Sequence, residues 1–228
     1  RRNSPFSTRL NLALRQTVDL KEQALLLLNR RGFARVAQCP ACGSAIRCTE
    51  CTVPLVYHAS SKQLVCHYCN HRQGIPEVCP ACTKGVLRLR GLGTERIESE
   101  LHQLFPASGI GRMDTDTTRS RESHRRFYDA IKTQQIDLMV GTQMLAKGLD
   151  LPQVTLVGVI SADTALNLPD FRAGEWTFDL LTQVAGRAGR GDRPVQVLIQ
   201  TFCPQHYAIQ AASRHNYQEF YRAEIEMR

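Results

Sequence analysis

Gln183-Val184-Ala185-Gly186-Arg187-Ala188-Gly189-Arg190 is the run on which the reading of this 228-residue chain turns. On an α-helix, positions 183, 187 and 190 share one face at spacing i, i+4, i+7. Gly186 and Gly189 remove side chains beside them and so permit close approach to another surface. Arg187 and Arg190 then offer two permanently charged guanidiniums, with Gln183 one turn earlier, and such a pair suits the charge that develops on a transferring γ-phosphate. An isolated Arg-x-x-Arg is equally well a basic helix end that complements the dipole, closed here by Gly191. The full Gln-x-x-Gly-Arg-x-Gly-Arg string favours phosphate chemistry, with Arg187, Arg190 and Gln183 as the catalytic candidates.

Outward from that run, apolar segments alternate in kind. Ala24 to Leu28 has the length and flanks of a buried strand, although leucine alone is also compatible with a helix. Thr94 is placed to cap a helix carrying Ile97, Leu101, Leu104 and Phe105, with Pro106 beyond its end. Ile110 to Met113 predicts a short strand, and Arg121 to Lys132 a polar helix with Phe127, Ala130 and Ile131 facing inward. Ile136 to Val140 and Val154 to Ile160 read as buried strands. A helix from Thr177 runs into the Gly186–Gly191 region, Val195 to Thr201 is a last strand, and the tail from Gln205 is helical. Strands alternating with helices predict an α/β fold, a mainly parallel sheet with helices on both faces.

A cysteine-rich block interrupts this order. Eight of the nine cysteines form four Cys-x-x-Cys pairs: Cys39/Cys42, Cys48/Cys51, Cys66/Cys69 and Cys79/Cys82. In an otherwise ordinary composition this pattern favours metal over disulfides or an iron–sulfur cluster. Zinc takes four thiolates, and each pair supplies two from one tight turn, so eight make two closed structural sites. Joining the first two pairs leaves only residues 43 to 47 as the connection, which is cramped, whereas Val53–Tyr57 and Gln63–Val65 can form the arms of a ribbon hairpin between the second and third. Spacing therefore favours nesting: Cys48, Cys51, Cys66 and Cys69 in one site, Cys39, Cys42, Cys79 and Cys82 in the other. Cross-braced pairing of the first with the third stays open. His58, His67 and His71 read as surface residues, and Cys203 as a reduced core cysteine.

Charge and composition set the remaining bounds. Counting eight thiolates at −8 and two zinc ions at +4 brings the formal +8 to +4, a mild basic balance that favours nucleic acid over acidic partners. A chain of 43% hydrophobic residues can build a normal core, and no apolar run approaches the roughly 18 residues of a membrane span. The opening Arg1-Arg2-Asn3 suggests a piece of something longer, and a soluble intracellular protein is the default expectation. The expected parts are a lead-in helix and first strand over 1–37, a zinc-binding insertion over 38–83, the rest of the α/β domain over 84–201, and a helical tail over 202–228.

The Gln183–Arg190 string resembles motif VI of superfamily 2 helicases, and Gly141-Thr142-Gln143-Met144-Leu145-Ala146-Lys147-Gly148-Leu149-Asp150-Leu151-Pro152 resembles motif V. More narrowly, Leu28–Phe33, the four knuckles, Gly91–Glu95, Asp114–Thr118 and Leu168–Ala173 together resemble the PriA family of bacterial replication-restart helicases, also called primosomal protein N′. That resemblance implies a RecA-like second motor lobe with an inserted two-zinc module, nested zinc pairing and ATP-dependent 3′-to-5′ unwinding. It also implies loading of replication proteins at stalled forks by a cytoplasmic, monomeric protein. Gly141, Thr142 and Gln143 would contact the tracked strand, while Gly148 and Asp150 would lie on the nucleotide side. Gly93 and Thr94, at a helix start, form a second candidate for phosphate. The implied partners are single-stranded and forked DNA, helicase-loading primosome proteins and single-strand-binding protein; the implied cofactors are two zinc ions, ATP and Mg2+. Leu149 and Trp176 depart from the His and Arg expected there.

No Gly-x-x-x-x-Gly-Lys-Ser/Thr loop occurs in the 228 residues. The elements that cradle a triphosphate belong to the first lobe in this superfamily, so the chain by itself is expected to lack ATPase activity. The competing reading is a non-catalytic zinc-ribbon module for DNA binding or scaffolding.

Overall fold

The computed structural model describes residues 4–28, 35–58, 61–90, 93–114, 121–142, 151, 153–168, 170–186 and 194–228. The chain divides into two compact units, one of Arg1–Asn29, Leu92–Ser161 and Gln183–Gln200, the other of Arg30–Gly91, Ala162–Thr182 and Thr201–Arg228.

The first unit is built on a five-stranded parallel sheet. Its strands are β1 (Gln23–Leu27), β7 (Ile110–Met113), β8 (Leu138–Gly141), β9 (Val154–Val159) and β10 (Gln196–Ile199), in the order β10-β9-β1-β8-β7. Central β1 is buried at every position, as a parallel strand covered on both faces must be. Helices α1 (Thr8–Asp19) and α2 (Thr94–Leu104) cover one face. Their Leu10, Leu14, Ile97 and Leu101 join Ala24, Leu26, Leu138, Val140 and Leu156 in one core. Gly158 lies on this face because a Cβ there would come within 2.7 Å of Leu26 and 2.9 Å of Leu10. Helix α3 (Arg121–Lys132) lies against the opposite face, where a Cβ at Gly111 would meet Phe127 at 2.8 Å.

The strand expected over 24–28 forms one residue earlier, as Gln23–Leu27, while the strand over 110–113 and the helix over 121–132 form as read. The strands expected over 154–160 and 195–201 shorten to Val154–Val159 and Gln196–Ile199, and two other boundaries move for local reasons. The strand expected from Ile136 begins at Leu138, because Gly109 C=O accepts from both Asp137 and Leu138 and turns the chain there. Thr94 is not the cap of α2: Gly93 occupies the extended N-cap position, and Thr94 is the first helical residue.

The second unit contains an antiparallel five-stranded sheet, β5-β4-β3-β2-β6, from β2 (Arg35–Gln38), β3 (Val56–His58), β4 (Gln63–Val65), β5 (Arg72–Gln73) and β6 (Arg88–Arg90). The expected ribbon hairpin is present, with Val56 opposite Val65 and His58 opposite Gln63. β2 pairs with β6, so the block is closed by its own flanking strands. The same unit also holds α4 (Asp163–Leu166), α5 (Ala173–Ala185) as far as Thr182, α6 (Tyr207–Ser213) and α7 (Tyr217–Met227). The helix expected from Thr177 thus starts at Ala173. Phe178 of α5 stacks on Phe220 of α7 at 4.2 Å, and Tyr207 donates to the buried carboxylate of Glu224 at 2.7 Å.

Candidate metal centres and motor-lobe motifs

All four knuckles make the same turn. The residue after the second cysteine donates its N–H to the carbonyl of the first: Gly43 to Cys39, Thr52 to Cys48, Asn70 to Cys66 and Thr83 to Cys79. Each of those donors sits in the left-handed region, with φ between 55° and 75° at Gly43, Thr52, Asn70 and Thr83. That conformation aims a run of amides at sulfur. The amides of Lys84 and then Gly85 hold the Cys82 thiol down to about 6, and those of Cys69 and Tyr68 hold Cys66 down to about 7. Contact with the Cys69 thiol, and then burial, pushes Cys51 up to about 12. Four sulfurs this close cannot all ionise unless a cation neutralises them.

The sulfurs gather into two groups, Cys39/Cys42/Cys79/Cys82 and Cys48/Cys51/Cys66/Cys69, each with its ligand atoms within 4.8 Å of one another. The nested arrangement is the one adopted, and the cross-braced alternative is excluded. Sulfur separations are 3.7 Å for Cys39–Cys82, 3.8 Å for Cys42–Cys79 and 3.5 Å for Cys48–Cys69. A disulfide needs about 2.05 Å. Zn–S bonds of about 2.3 Å in a tetrahedron place the sulfurs about 3.8 Å apart, so both groups fit zinc. Burial, followed by the charge of Asp163, pushes the ninth thiol, Cys203, up to about 11, and its Sγ points at Gly43 C=O at 3.4 Å. It is a protonated packing residue.

The motor-lobe candidates are only partly described. Gly141 ends β8 between β1 and β7, its carbonyl accepting from Leu28 N–H at 2.8 Å, and Thr142 follows half-buried. Both lie at the carboxyl edge of a parallel sheet, where such folds bind ligands. Gln143, Gly148 and Asp150 lie outside the described residues, as do Arg187 and Arg190. Gln183 is exposed on α5, while Phe178, Leu181 and Val184 are buried. Gly93 faces open space, but Thr94 is fully buried and donates its hydroxyl to Asp114 at 2.5 Å. A phosphate at the start of α2 would therefore meet backbone, not the Thr94 side chain.

Residues 48–73 match the PriA DNA helicase Cys-rich region (CRR) domain, and residues 87–192 match the helicase conserved C-terminal domain. The replication restart protein PriA of Bacillus subtilis (strain 168) is 46% identical over 222 residues, 97% of this chain. The chain belongs to the PriA family. The PriA protein of Synechocystis is 45% identical over 229 residues, 99% of this chain. This chain spans 28% of the length of each of these PriA relatives. Among solved structures, the C-terminal domain of the DEAD-box protein Dbp5 is 12% identical with a TM-score of 0.46, covering 95% of this chain and 83% of that one; so distant a likeness carries no argument. The match to the PriA Cys-rich region begins at Cys48 and ends at Gln73, so it contains all four ligands of the inner site and none of the outer. No helix among the described residues is long and apolar enough to cross a membrane.

The turn geometry was the part hidden from sequence reasoning. A glycine at 43 and an asparagine at 70 hint at left-handed backbone, but the threonines at 52 and 83 give no such signal.

Proposed function

We propose that this chain is the second motor lobe of an ATP-dependent 3′-to-5′ DNA helicase acting in replication restart and primosome assembly. The observation that carries the proposal is the Gln183–Arg190 string entered from a helix whose apolar side is buried and whose Gln183 is exposed. In this reading Arg187 and Arg190, which lie outside the described residues, meet the γ-phosphate of ATP held with Mg2+ on the first lobe. Charge developing on the transferring group is then neutralised by groups that need no reorganisation. Gly141 and Thr142, at the carboxyl edge of the sheet, contact the tracked strand, joined by Gln143, with Gly148 and Asp150 beside the nucleotide. The two zinc sites have four protein ligands each and no open position, so their role is structural. Forked and single-stranded DNA, helicase-loading proteins and single-strand-binding protein are the partners of the whole protein in this reading.

The test is Arg187→Ala in the full-length protein. DNA binding should persist while DNA-stimulated ATP hydrolysis falls by about 10³-fold or more. Unchanged turnover would remove Arg187 from the catalytic role. The 228-residue chain alone should hydrolyse no ATP, since it lacks a phosphate-binding loop.

A further inference from the structure

Outside the two sulfur groups, one pair of metal-ligating side chains is brought together by the ribbon. His58, at the end of β3, and His67, inside the third knuckle, place their Nε2 atoms 2.9 Å apart. The rings are tilted by 42° with centroids 5.2 Å apart; His67 is exposed and His58 half-buried. His71, four residues on, faces Gln73 instead, at 3.3 Å.

We propose that His58 and His67 form a third cation site, open to solvent, that takes a late first-row divalent transition metal such as Ni2+ or Cu2+. Metal–imidazole bonds of about 2.0–2.1 Å put cis ligands about 2.9 Å apart at a right angle and about 3.3 Å apart in a tetrahedron. The present 2.9 Å is the length of the hydrogen bond between the rings and brings both nitrogens within reach of one ion; Ni2+ and Cu2+ are favoured because their affinity for imidazole exceeds that of the earlier first-row divalent ions. Without a cation, one ring donates its Nε2 proton to the other. Binding moves that proton to Nδ1 of the same ring through solvent, freeing both Nε2 lone pairs while neither ring loses a proton overall. The rings pivot from facing one another to converging on the ion. Two protein ligands leave positions for water or an outside donor, unlike the closed thiolate sites.

The experiment is calorimetric titration of Ni2+ into the zinc-loaded chain, with released zinc followed by a chromogenic chelator. One nickel equivalent should bind with both zinc ions retained. His58→Gln and His67→Gln should each weaken binding at least tenfold, whereas His71→Gln should leave it unchanged. No uptake, uptake that survives both substitutions, or nickel uptake matched by zinc release would overturn the site. Zinc content of each variant shows that the ribbon remains folded.

Discussion

Thr52 and Thr83 carry β-branched side chains at φ near +57° and +55°, a region such residues rarely enter. Each hydroxyl partly compensates by donating to the carbonyl of the preceding cysteine, at 2.7 and 2.8 Å. Thr83→Gly should therefore raise the unfolding midpoint of the zinc-loaded chain, by about 0.5–1 kcal/mol in stability. Gly43→Ala should do the reverse, because its Cβ would lie 2.6 Å from both Cys203 Sγ and Phe202 C=O as well as at φ +75°. Thermal melts of both variants against the parent check the two signs together. A second residue couples stability to pH. His206 caps α6 by accepting the Ala208 N–H on Nδ1 at 3.2 Å, which requires the neutral ring. Burial, and then the positive charge of Arg47, lowers its pKa below the usual 6.5. With the folded value below the unfolded one, its contribution is complete above about pH 6.5 and is lost as pH falls through the folded value. His206→Asn keeps an acceptor and removes the proton site. Between pH 8 and 5.5 the parent should lose more stability than this variant, and equal losses would count against the linkage.

At the scale of elements, strands and polar helices follow from patterns that need no partner. Ile110–Met113 and Arg121–Lys132 form as their periodicity predicts. What periodicity does not convey is the tie between elements. Gln23 opens β1 almost fully buried, and its side-chain amide donates to Ile131 C=O at 2.9 Å and Ile136 C=O at 2.7 Å. It satisfies two buried carbonyls where α3 ends and the chain turns toward β8, and a polar residue at the head of an apolar run gives no hint of this. Gln23→Ala should cost about 1–3 kcal/mol, since Ile136 C=O loses the amide in the interior while Ile131 C=O still accepts the Gln134 N–H at 3.1 Å. Chemical denaturation of the variant tests this; a change below about 0.5 kcal/mol would show that water replaces the amide. Thr94 has the same lesson with the opposite outcome. Its spacing suits a cap or a phosphate contact, yet its hydroxyl turns inward to Asp114, twenty residues away.

At the scale of the whole molecule, the cysteine ribbon and the parallel unit are held by different means. The ribbon of residues 35–90 has a core of Ala37, Ile46, Leu55, Leu64 and Leu87 interleaved with Cys39, Cys48, Cys66 and Cys79. So small a core is marginal without its ions, each of which contributes on the order of 10–16 kcal/mol by comparison with zinc fingers. The parallel unit is built instead on aliphatic side chains from five strands and their helices. Chelation should therefore erase hydrogen-exchange protection across residues 35–90 while β1, β8 and β9 stay protected. Two zinc equivalents should be released, and loss of protection in both units at once would mean that they unfold together.

Sequence by itself determined the alternation of strands and helices and the eight thiolates, because each is written in spacing along a single element. Nesting was favoured by connection length but left a second pairing open. Only the folded chain decided which sulfurs meet, which threonines turn left-handed, that Thr94 is spent on Asp114, and that His58 and His67 stand 2.9 Å apart. Those outcomes depend on distances between residues far apart in the chain, and such distances are fixed by packing and closure of the ribbon rather than by local pattern.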